Sequence, residues 1–63
     1  MRFAVSYRRG DRFAVQGAAD VTFLVQARDA DGAESAAAEL YTIAYGRTPA
    51  DDLAELISVQ IVA

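Results

Sequence analysis

Hydrophobic and polar positions change period in the middle of this chain, between Val21 and Gly46. From Val21 to Arg28 they alternate. Val21, Phe23, Val25 and Ala27 point one way; Thr22, Leu24, Gln26 and Arg28 point the other. Period two with β-branched and aromatic residues predicts a strand with one buried face. Beyond Asp29-Ala30-Asp31-Gly32 the period becomes helical. Ala33, Ala36, Ala37, Leu40, Ile43 and Ala44 form an apolar stripe against Glu34, Ser35, Glu39 and Thr42. A stripe made mostly of alanine lets the helix lie close to a sheet, with Leu40 expected to be buried between the two. Asp31 stands three residues before Glu34, a capping-box spacing, and Asp29 competes with it as N-cap. Gly46 follows the last periodic residue and predicts the C-terminal stop.

The flanks read as strands that need this helix as a cover. Arg2 to Tyr7 places Phe3, Val5 and Tyr7 on one face, and RFAV at 2 to 5 returns as RFAV at 12 to 15. A three-residue loop Arg8-Arg9-Gly10, with Gly10 left-handed, would pair Val5 with Phe13 and Phe3 with Val15 and keep the apolar side chains together. Alternation survives Gly17 to Asp20, so Arg12 to Arg28 is either one long bent strand with a bulge near Gly17 or two strands joined by a turn. The usual strand length of about five or six residues favours two strands in a meander. Thr48 as N-cap, Pro49 as first residue and Asp51 and Asp52 in the first turn predict a second, short helix with Leu53, Leu56 and Ile57 as its inward candidates. Ile57, Val59 and Ile61 then alternate with Ser58, Gln60 and Val62 as a final strand, which a right-handed return places beside the first. The expected fold is a single α+β domain over 1–63. It has an antiparallel sheet of three to four strands with one long and one short helix on one face.

Composition adds a constraint. The chain has 63 residues and neither Cys nor His, yet 54% of it is apolar. A domain this small buries roughly 60% of its unfolded surface and usually needs a staple. Disulfides and thiolate or imidazole metal sites are excluded, which leaves good packing or a partner. Leu56 to Ala63, LISVQIVA, has no charge, Pro or Gly. Such a strand is an aggregation hazard when its edge is open, and it shows no edge-blunting Lys, Pro or bulge. Val59, Ile61 and Val62 are therefore expected to meet a second copy of the chain or a larger protein assembly.

Charge is uneven. Residues 1 to 28 carry five Arg against Asp11 and Asp20; residues 29 to 63 carry Arg47 against seven acids. Solvated strand faces and helix N-termini rich in acids explain this without a basic binding surface. Arg8, Arg9 and Arg12, flanked by Tyr7 and Phe13, form a second candidate interaction site, at the expected hairpin tip. Arg interleaved with aromatics suits single-stranded nucleic acid or an acidic protein surface, although a pI of about 4.5 argues against nucleic acid. Catalysis finds no footing. Ser6, Ser35 and Ser58 have no evident base, and the acid pairs Asp29/Asp31 and Asp51/Asp52 sit where helix N-termini favour acids. Asp29-x-Asp31-Gly32 lacks the later ligands of a calcium loop, and no glycine-rich phosphate cradle is present. No catalytic, cofactor or metal residues are assigned. No stretch approaches the ~18 apolar residues of a membrane span, and no secretory h-region is seen. The expected location is the cytoplasm or a phage particle.

The succession RFAVSYRRGDRFAV, VTFLVQARDADGAESAAAELY and ISVQIVA resembles small β-β-α-β accessory proteins of phages and mobile elements of GC-rich bacteria. In those, a strand ending V-x-A leads to D-A-x-x-A and a helix, as Val25-Gln26-Ala27, Asp29-Ala30 and Ala33 do here. Gly32 stands where such proteins often have an acid. All-Arg basic residues, no Lys, no Asn and abundant Ala match GC-rich coding. The resemblance implies an accessory, non-enzymatic role and assigns no functional residues.

Overall fold

A computed structural model describes residues 1–10 and 20–62. Its elements are β1 (Arg2–Arg8), β2 (Asp20–Gln26), α1 (Ala30–Tyr45) and β3 (Glu55–Val62). The three strands form one antiparallel sheet in the order β2-β1-β3, so the first strand is central and the last lies beside it, as expected. The α+β class and the helix-covered face hold; the described sheet has three strands and its cover is one helix.

Alternation explains the faces. Phe3, Val5, Tyr7 and Val25 are buried on the helix side with Ala33, Ala37 and Tyr41, while Val21, Phe23, Ala27 and Val59 pack at the margin of this core. Arg2, Ala4, Ser6 and Arg8 occupy the opposite face, where the Ser6 and Thr22 hydroxyls share a hydrogen bond of 2.8 Å.

Phe13 and Val15, the expected partners of Val5 and Phe3, lie outside the described residues. Val5 stands between Phe23 and Val59, and Phe3 between Val25 and Ile61, so both sides of β1 are taken. The expected strand from Arg12 to Gln16 and the Gly17 to Asp20 turn or bulge fall on residues 11–19, outside the described residues apart from Asp20, which opens β2. Gly10 is not left-handed. Its glycine is required by a close approach: a Cβ there would lie 2.5 Å from the Asp52 carbonyl oxygen.

The helix begins one turn earlier than its apolar stripe. Asp29, not Asp31, is the N-cap: its backbone is extended and its carboxylate accepts the Gly32 N–H at 2.8 Å. A Cβ on Gly32 would sit 3.2 Å from that same oxygen, which explains a glycine at the third helical position. Gly46 closes the helix as read, left-handed at φ 73°, with its N–H on the Thr42 carbonyl. The buried line is Ala33, Ala37 and Tyr41, at i, i+4 and i+8. Leu40, expected inside, is exposed, and Ile43 is 80% exposed. Tyr41 takes the inward position because its hydroxyl finds buried partners.

In place of the expected second helix the described residues hold a hydrogen-bonded turn. Thr48 does cap it, its hydroxyl accepting the Asp51 N–H at 3.1 Å. The turn then closes through Asp52 N–H to Thr48, Leu53 N–H to Ala50 and Ala54 N–H to Pro49. Leu53 is left-handed at φ 56° and exposed, and Leu56 lies at the surface rather than facing in. An isolated left-handed Leu costs roughly 1–3 kcal/mol, accepted here because Asp52 is turned inwards.

β3 carries a bulge. Ser6 pairs with Ser58 but Tyr7 with Leu56, which leaves Ile57 as the extra residue. The strand thus has one edge-modifying device that its sequence does not announce. No helix among the described residues is long and apolar enough to cross a membrane.

Close helix–sheet contact through alanine makes a specific prediction. Ala37→Leu should lower stability by about 1–3 kcal/mol through overpacking. Ile43→Ser, on the exposed side, should stay within about 0.5 kcal/mol of wild type. Urea unfolding midpoints of the two variants test this assignment of the helix face.

Candidate functional site

Two places concentrate unusual features: a buried charge cluster at one end of the sheet, and the outer side of β3.

The cluster is built on Asp52, which is 1% exposed. Burying a carboxylate costs several kcal/mol unless it is paired and hydrogen-bonded. Here Arg9 Nη2 donates to Oδ2 at 2.9 Å, the Tyr41 hydroxyl donates to the same oxygen at 2.8 Å, and Arg47 Nε donates to Oδ1 at 2.9 Å. Each partner comes from a different part of the chain. Arg9 follows β1, Tyr41 lies on the inward line of α1, and Arg47 follows the Gly46 cap. Arg9 also donates from Nε to the Tyr41 hydroxyl at 3.0 Å. Its guanidinium lies 3.8 Å from the Tyr45 ring centroid, within cation–π range. Tyr41 meets Tyr45 and Tyr7 edge-on, with centroids 4.8 and 5.5 Å away. Among the described residues, every buried side-chain polar atom has a hydrogen-bond partner.

Electrostatics follow from this packing. Burial pushes the Tyr41 phenol above its ordinary value of 10.0; the bond to Asp52 adds to the rise and Arg9 opposes it. Tyr7 is raised mainly by burial and secondarily by the Glu34 charge. Burial works against the Arg9 charge, but its contacts with Asp52 and Tyr41 outweigh that and hold it above the ordinary arginine value.

A depression of about 330 Å³ opens beside the cluster, between Arg8, Gly10, Asp51, Leu53 and Glu55. Its lining mixes both charges and offers no nucleophile with an adjacent base. Among the described residues, no group of three or more His, Cys, Asp or Glu could hold a metal ion.

The Arg residues singled out in the sequence part company. Arg8 is exposed and pairs across the sheet with Asp20 at 3.1 Å. Arg9 turns inwards, with its side chain 16% exposed, and belongs to the Asp52 cluster rather than to a solvated turn. Arg12 lies outside the described residues. The Asp52 cluster escaped sequence reading. Asp52 looked like a first-turn helix acid, and its bond to Arg9 spans 43 positions. Gly10 was the one available signal, misread as a turn glycine.

The β3 residues Val59, Ile61 and Val62 do share one strand, at the edge of the described sheet. Val59 packs against the core, Val62 is half-buried, and Ile61 is 66% exposed on the helix side of the sheet. The single helix does not reach across to cover it.

Two outcomes are expected of the cluster. Asp52→Ala should cost about 3–5 kcal/mol, the range for breaking a buried pair, whereas Arg8→Ala, at an exposed pair, should leave the urea midpoint nearly unchanged. Because the folded-state values of Tyr41 and Tyr7 are raised, the folded state holds those protons more tightly than the unfolded chain. The resulting stability is complete below pH 10 and is lost as pH rises through the folded-state values. Tyrosinate absorbance should therefore appear at higher pH in the intact protein than in denaturant; coincident curves would contradict the burial of both phenols. No family model, no curated protein and no solved structure matches this chain.

Proposed function

We propose that this chain is a non-enzymatic interaction protein that associates with itself or with a larger protein assembly through β3. The observation that carries this reading is the apolar exposure of the strand at the edge of the described sheet. Ile61 is 66%, Ile57 44% and Leu56 39% exposed, on a strand with no charge from Leu56 to Val62. Water-exposed isoleucine on an uncharged edge is what strand addition or face packing covers. The small core and the absence of Cys and His make an external source of stability useful. An accessory role also agrees with the resemblance to small phage-borne β-β-α-β proteins.

Action through the Arg8, Arg9 and Arg12 tip on nucleic acid or an acidic host protein has less behind it. The Arg9 guanidinium is engaged with Asp52, Tyr41 and Tyr45, and Arg8 with Asp20.

Sedimentation velocity across a concentration series tests the reading. The wild-type chain is expected to sediment as more than a monomer, with Ile61→Lys shifting it towards monomer while the far-UV spectrum stays the same. A wild-type chain that remains a folded monomer at high concentration would remove self-association.

A further inference from the structure

The outer edge of β3 has a pattern of its own. From Ile57 to Ile61 the residues are Ile, Ser, Val, Gln and Ile: apolar, polar, apolar, polar, apolar, symmetric about Val59. The chain direction reverses between antiparallel strands, and directly opposed residues share a face. A segment whose pattern reads the same in both directions is therefore complementary to itself.

Only one centre keeps that match. Centred on Val59, Val59 opposes its own copy, Ile57 opposes Ile61 and Ser58 opposes Gln60. Centred on Ser58, only Ile57 to Val59 would find matched partners, and Gln60 and Ile61 would oppose the irregular start of the strand beyond the bulge. Centred on Gln60, Ser58 would face Val62. Charge agrees with the first choice. Glu55 is the sole ionisable side chain of β3 and sits at its start, so antiparallel pairing holds the two copies of Glu55 at opposite ends. The bulge at Ile57 ends the regular edge where the symmetric segment ends.

We infer that the partner on β3 is a second copy of this chain, paired antiparallel about a two-fold axis through Val59. The inference rests on the proposed interaction role and specifies its partner and register. The axis stands perpendicular to the sheet. The dimer therefore has one continuous sheet, β2-β1-β3-β3-β1-β2, with both helices on the same face. Ile57, Val59 and Ile61 of each copy then lie in the strip between the two helices, and apolar surface that one helix leaves open is shared by two.

The chain has no cysteine, so single-cysteine variants read the register without background. Directly opposed residues on antiparallel strands have Cα atoms about 4.5–5.5 Å apart, within disulfide range. Ser58→Cys and Gln60→Cys are made separately in the full chain, on the face away from the helix, where neither replacement disturbs the core. Under mild oxidation their mixture is expected to form the mixed disulfide several-fold faster than either variant couples to itself. Val59→Cys is expected to couple to itself. Preferred self-coupling of Ser58→Cys or of Gln60→Cys, or equal rates for all combinations, would overturn the register. In that event a wild-type dimer in sedimentation would preserve self-association through another geometry. A wild-type monomer at the same concentration would overturn the second copy as partner altogether.

Discussion

A buried carboxylate governs how this small chain closes. Asp52 sits out of water and is held by Arg9, Arg47 and the Tyr41 hydroxyl. Such clusters add little net stability, because desolvation offsets most of the attraction, but breaking one partner is expensive. The consequence here is geometric. Asp52 fixes the turn from Thr48 to Ala54, and with it the point at which β3 begins, Glu55 opposite Arg8. It draws the chain at Gly10 so close to its own carbonyl that no larger residue fits. It also orients Tyr41, and thereby the rotation of α1 over the sheet.

That dependence explains which features were legible in the sequence. Short-range patterns read correctly where local chemistry decides. The alternation of Phe3, Val5 and Tyr7, the Gly46 stop and a terminal strand beside the first all follow from spacing and backbone preference. Readings failed where a distant partner decides. Tyr41, not Leu40, holds the inward line, and its hydroxyl is bonded to residues 9 and 52, far away in sequence. Thr48 and Pro49 did begin a turn, yet the inward pull on Asp52 and the left-handed Leu53 stopped it. The apolar character of β3 was legible because it is written as an absence of charge. Its bulge was not, because a bulge is a matter of register between two strands. The alternation that puts Val59 and Ile61 on the last strand could be read from the sequence, but the inward turn of Arg9 could not.

The two ends of the sheet differ in kind. At one end, charged groups and tyrosines close around Asp52 with their hydrogen bonds satisfied. Along the β3 side, bare aliphatic side chains meet water under a helix that leans towards β2 and β1. One end is finished chemistry within a single copy; the other side is surface that a second copy would complete.

The place of β1 in the middle of the sheet has a consequence for synthesis. Its two neighbours are β2 and, after the whole of α1 and the turn, β3. On a ribosome adding about 5–20 residues per second, β1 waits seconds for its second neighbour, and Asp52 arrives only just before that strand. A β1–β2 pair with part of a helix is a marginal structure in water. The central strand therefore gains its second neighbour, and the Asp52 cluster its central carboxylate, only after β2 and the whole of α1 have been made.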